Sequence, residues 1–146
     1  MGYYMRYISA DSRPLELGEL AKALATQDPA YQLMFEDNEG ILHYGETLIG
    51  HLEVNLPGDG IFDEELAELR EFAEDADGAA QSPVPAVLDR ASAVLAVRVL
   101  RGTGEAETTL QRLDPIWAWL FEHRRGLMQA DGEGYYDSRG PVLLVE

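Results

Sequence analysis

The chain has no cysteine. Disulfides, thiolate nucleophiles and cysteine-ligated zinc are therefore excluded. Lysine is nearly missing as well: Lys22 stands alone beside ten arginines, which we read as the coding bias of a GC-rich bacterial genome. No apolar run approaches the roughly 20 residues that span a bilayer. The first residues, Met1-Gly2-Tyr3-Tyr4-Met5-Arg6, lack the basic stretch and apolar segment of a signal peptide, so the cytoplasm is the expected compartment. Positive charge is scarce too. Eleven Lys and Arg face 27 Asp and Glu, for a formal net charge of −16. Such a field repels phosphate backbones and anionic lipid surfaces. Neither nucleic acid nor a membrane is an expected partner, whereas a basic protein would be drawn in.

What is present describes a single folded unit. A chain of 146 residues, 46% of them apolar, buries roughly 70% of its unfolded surface and holds its core without staples. Residues 1–146 are expected to form one α+β domain. Tyr3 to Ser9 is aromatic and β-branched and reads as a strand. Leu17, Leu20, Ala21 and Leu24 repeat at helical spacing, and Pro29 closes that helix. Tyr31 to Phe35, Ile41 to Tyr44 and Leu48 to Val54 read as strands. A turn at Asp37–Gly40 separates the first two, and Gly45 marks a bulge or second turn. Residues 61–76 form the clearest helix. Phe62, Leu66, Leu69 and Ala73 share one face, and the rest is mostly acidic. Asp77 to Pro85 is linker-like, Val87 to Ala91 a helical turn and Ala93 to Leu100 a well-buried strand. Asp114-Pro115 predicts a helix start, with Asp as cap and Pro in the first turn. A short helix capped by Thr108 and Gln111 would precede it, and Gly126 would end the main helix. Leu127 to Ala130, Tyr135 to Asp137 and Val142 to Val145 complete the strands.

With the two segments before Val54 merged, the order from Tyr3 to Leu100 is β-α-β-β-α-β. It resembles the ferredoxin-like superfold in topology. The resemblance implies an antiparallel sheet with helices on one face, extended by the last helix and strands. The two ends also read alike. Leu33-Met34, Asp37 and Glu39-Gly40 align with Leu127-Met128, Asp131 and Glu133-Gly134, so residues 3–54 and 93–146 are candidate βαββ repeats flanking the acidic helix 61–76.

The densest chemistry lies between His43 and Glu53. On one unbroken strand His43, His51 and Glu53 would share a face, with Glu46 between them. Two imidazoles and a carboxylate suit zinc or ferrous iron. Eight residues of straight strand, however, separate the histidines by about 26 Å, so convergence requires the chain to fold back at Gly45. The plainer reading is polar residues on a sheet face. Asp131-Gly-Glu133-Gly-Tyr-Tyr-Asp137 lacks the spacing of an EF-hand calcium loop and reads as a hairpin. Gly102-Thr103-Gly104 has the position of a phosphate loop but no following Lys-Ser/Thr and no third glycine. In Trp117-Ala118-Trp119-Leu120-Phe121, Trp119 points away from its neighbours and marks either core or a contact surface. No G-x-S-x-G elbow is present. The sequence thus favours a module that binds a protein partner or a second copy of itself, with His43, Glu46, His51, Glu53 and Trp119 as candidate contacts. No cofactor or metal is expected. A small-molecule or metal-binding enzyme using the His43, His51 and Glu53 face is the alternative.

Overall fold

The computed structural model describes residues 3–76, 78–100 and 106–144. Gly102-Thr103-Gly104 lies outside the described residues. Among them, the elements in order are β1 (Tyr3–Ser9), α1 (Leu17–Gln27), β2 (Tyr31–Glu36), β3 (Glu39–Tyr44), β4 (Thr47–Asn55), α2 (Gly60–Glu74), a 3-10 turn (Ala79–Gln81), α3 (Val84–Asp89), β5 (Ala93–Val99), α4 (Ala106–His123), β6 (Gly126–Ala130), β7 (Gly134–Asp137) and β8 (Gly140–Leu144). The described strands form one eight-stranded sheet in the order β2-β3-β4-β5-β1-β6-β7-β8. Every neighbouring pair is antiparallel.

The α+β class expected from the sequence is present, but the ferredoxin-like arrangement is not what the sheet shows. The sheet is larger, β3 and β4 are separate strands, and β5 comes between β4 and β1, with β6 on the other side of β1. The helices also cover both faces, not one. Alternation along the strands explains this. Tyr7 and Leu95 enter a core with Leu20 and Leu24 of α1 and Leu113, Ile116 and Leu120 of α4. Their neighbours Ile8 and Val94 enter a second core with Phe62, Leu69 and Ala73 of α2 and Leu88 of α3. Ala93 to Val97 are all buried, as a strand sandwiched between two layers of helix must be.

Helix α4 corrects the break expected at Asp114-Pro115, since it runs unbroken through Pro115. A proline inside a helix costs about 3 kcal/mol. Leu113, Ile116 and Leu120 are fully buried on the stripe that spans it, and each contributes roughly 1.5–3 kcal/mol of burial. Packing therefore outweighs the local signal. Gly126 is not a helix cap either. It begins β6, and a Cβ there would lie 2.0 Å from the Ile8 carbonyl oxygen, so the close approach of β1 demands glycine.

The order strand-helix-strand-strand-strand recurs in β1 to β4 and in β5 to β8. The aligned residues nevertheless occupy different surroundings. Leu33 packs on the α1/α4 core, whereas Leu127 lies in the α2/α3 core.

Candidate functional site

The chain does fold back at Gly45, which takes φ 61° in a two-residue turn between Tyr44 and Thr47. His43 and His51 therefore sit on neighbouring strands. Ile41 stands opposite His51 and His43 opposite Leu48, with a register shift between Leu42 and His43. Leu42, Gly50 and Leu52 face the α1/α4 core, so His43, His51 and Glu53 face the side that carries α2. The fold brings these three to one face. Glu46 lies exposed at the tip of the turn. Trp119 is on α4, across the sheet from the others. It stacks on His123 with ring centroids 5.0 Å apart and packs against the α1/α4 core.

The α2/α3 layer covers only part of its face. Over β2, β3 and the start of β4 the apolar side chains stay open: Met34 is 61% exposed, Ile41 41% and Leu48 37%. A hollow of ≈ 670 Å³ follows them, lined by Glu36, Asp37, Glu39, His51, Glu53, Asn55 and Asp59 among others. A second hollow of ≈ 220 Å³ continues beside α2 and shares Glu53 and Asn55 with the first.

The register explains why acids crowd this place. Glu39 stands directly opposite Glu53, and like charges so placed repel. Glu53 is partly buried. Burial first, then Glu39 and Glu65, hold its carboxyl above the usual range, with Asp59 adding and His51 opposing. Glu65 of α2 is already partnered. One oxygen accepts from Arg6 Nε at 2.8 Å and the other from Asn55 Nδ2 at 2.8 Å. Arg6 also reaches Gln129 at 2.9 Å and Asp131 at 2.8 Å. Asp131, read from the sequence as a turn acid, thus anchors Arg6 and accepts from the Tyr4 amide as well.

Sequence reasoning missed Asn55, Glu65 and Arg6. The polar alternation His51-x-Glu53-x-Asn55 carried a signal for Asn55. Pairing of Arg6 with Glu65 spans 59 residues of chain and left no local trace.

Among the described residues, no group of three or more His, Asp or Glu is arranged to hold a metal ion. No helix among them is long and apolar enough to cross a membrane. The fold defines an antiparallel sheet between two helical layers, with one acidic, half-open face. Compared with known proteins, the chain matches no family model, no curated protein and no solved structure.

Proposed function

We propose that this protein is a protein-binding module whose docking surface is the uncovered face of β2, β3 and β4, and that its partner is basic. One observation carries the reading: Met34, Ile41 and Leu48 lie open on a face rimmed by Glu36, Asp37, Glu39, Glu53 and Asp59. An apolar centre with a charged rim is the anatomy of a protein interface. The sign of the rim selects the partner, because complementary potentials steer association and like potentials oppose it. A second copy, itself carrying −16, would set acid against acid across the same patch.

The test is photo-crosslinking in extract of the source cells. A crosslinking amino acid replaces Ile41, and a control replaces the exposed Lys22 of α1 on the opposite face. The expected result is one adduct with a basic protein from position 41, lost at high salt where exposed charges are screened, and none from position 22. Adducts with a second copy of the chain, equal labelling from both positions, or no adduct at all would each overturn the proposal.

A further inference from the structure

The sheet ends in two edges, and only one of them is guarded. β8, at one end, contains Pro141 and lies beside a register shift between Tyr135 and Tyr136. Proline and irregular pairing are means by which an edge avoids adding further strands. β2, at the other end, reads Tyr-Gln-Leu-Met-Phe-Glu. It has no proline, no basic residue and no break in its pairing with β3. Its apolar side chains are exposed on both faces: Met34 on the groove side and Phe35, at 48%, on the α1 side. The Phe35 ring lies over Gly18 of α1, where a Cβ would stand 3.4 Å from it. A strand inside a sheet hides such residues behind its neighbours, and β2 has a neighbour on one side only.

The ladder to β3 settles which backbone groups are left over. A two-residue turn joins the strands, with Glu36 opposite Glu39. Such a turn is closed by a hydrogen-bonded pair, and bonded and non-bonded pairs then alternate. Gln32, Met34 and Glu36 therefore bond to β3. Ala30 falls in the same phase, and its carbonyl accepts from the Gly45 amide at 2.8 Å. Tyr31, Leu33 and Phe35 fall in the other phase. The Tyr31 amide turns back to the Asp28 carbonyl at 3.1 Å. The N–H and C=O groups of Leu33 and Phe35 point away from β3, where none of the described strands lies. Each residue offers one strong donor and one acceptor, at the spacing that an added strand matches.

We infer that the basic partner docks by adding an extended segment to β2 as a ninth strand of the sheet. This rests on the docking surface proposed above and names how that surface is engaged. Strand addition draws affinity from main-chain hydrogen bonds and specificity from alternate side chains. Here the alternation carries a sign. Partner residues opposite Leu33 and Phe35 bond to them and place their side chains on the α1 side, beside Phe35. Residues opposite Met34 and Glu36 place theirs on the groove side, where Glu36, Asp37 and Glu39 lie. The segment that fits therefore alternates apolar and basic residues. A second copy of β2 is a poorer occupant, since Tyr31–Glu36 brings an acid and no base.

The test follows backbone amide hydrogen exchange by NMR on the full chain, with the peptide acetyl-Arg-Val-Arg-Val-Arg-amide as probe. In the free protein the Leu33 and Phe35 amides should exchange fast and the Gln32 and Met34 amides slowly. At a peptide concentration that fills about nine-tenths of the sites, Leu33 and Phe35 should slow about tenfold. N-methylation of the two valines removes the donors that face β2 and should abolish this protection. N-methylation of the arginines, whose amides point outward, should preserve it. Strand addition is refuted if Leu33 and Phe35 are already protected in the free chain, if the peptide leaves their exchange unchanged, or if the two methylated peptides act alike. If crosslinking at position 41 captures a basic protein but the peptide fails here, strand addition falls and the docking surface stands. If position 41 captures nothing, the docking surface itself falls, whatever the peptide does.

Discussion

Strand β4 shows both sides of the molecule within five residues. Leu52 and Val54 belong to the core under α1 and α4, while His51, Glu53 and Asn55 between them face the acidic groove beside α2. On the first side the apolar layer runs unbroken from Tyr31 of β2 to Ala130 of β6. On the second it holds Ile8, Val94, Leu127, Tyr135 and Leu143, but beyond β5 it gives way to charged and polar residues beside the exposed Met34, Ile41 and Leu48. The same strands therefore carry a structural face and a face with exposed apolar and unpaired acidic groups. Stability should be concentrated on one and binding on the other.

The largest expected effect tests the structural side. Leu52 is fully buried, and truncating such a leucine costs roughly 2–5 kcal/mol through lost transfer energy and the cavity left behind. Leu52→Ala should lose about 3 kcal/mol in urea unfolding. Ile41→Ala, one strand away on the open face, should lose less than about 0.5 kcal/mol. Comparable losses would mean that Ile41 belongs to a packed layer, and the contrast between the faces would collapse.

Next in size is Arg6→Met. Arg6 joins the open face to α2 through Glu65 and ties β6 in through Gln129 and Asp131. Its partner Glu65 is largely shielded from solvent. Removing one member of a shielded ion pair leaves the other charge uncompensated. The expected loss in urea unfolding is about 2 kcal/mol, below the fully buried case because Asp131 is more exposed. A cost near zero would show that the pair contributes no more than an ordinary surface salt bridge.

Most of this contrast could be read from local sequence, and the exceptions share one physical origin. Alternation in Tyr3–Ser9, the helical spacing of Leu17, Leu20 and Leu24, and the turns at Asp37 and Gly45 are local properties, and each element forms where those signals lie. Pro115 misled because its penalty is local while the burial of Leu113, Ile116 and Leu120 is tertiary. The second helical layer was hidden for the same reason. Val94 and Leu95 look alike as letters, and only the helices packed above and below assign them to different cores. Half of the candidate site was visible: His51 and Glu53 share the groove, and His43 joins their face. Trp119 does not, because nothing local in α4 tells which layer it enters.

The smallest expected effect probes the open face itself, through Glu53→Gln. Burial and the neighbouring Glu39 and Glu65 raise the Glu53 carboxyl above its ordinary value. The folded chain therefore holds that proton more tightly than the unfolded chain, and stability falls as the pH rises through the raised value. At neutral pH the ionised Glu53 works against folding, and glutamine removes the repulsion while keeping the shape. Because the side chain is part-exposed, screening keeps the gain small, roughly 2 °C in melting temperature at pH 7. The difference should shrink to nothing as the pH drops below the ordinary glutamate range, where both side chains are neutral. A variant that melts lower at pH 7, or whose advantage persists in acid, would show that Glu53 is structurally satisfied and that the groove holds no stored repulsion. A more stable protein at neutral pH, with no gain in acid, is what a carboxylate set against its neighbours without a compensating partner must give.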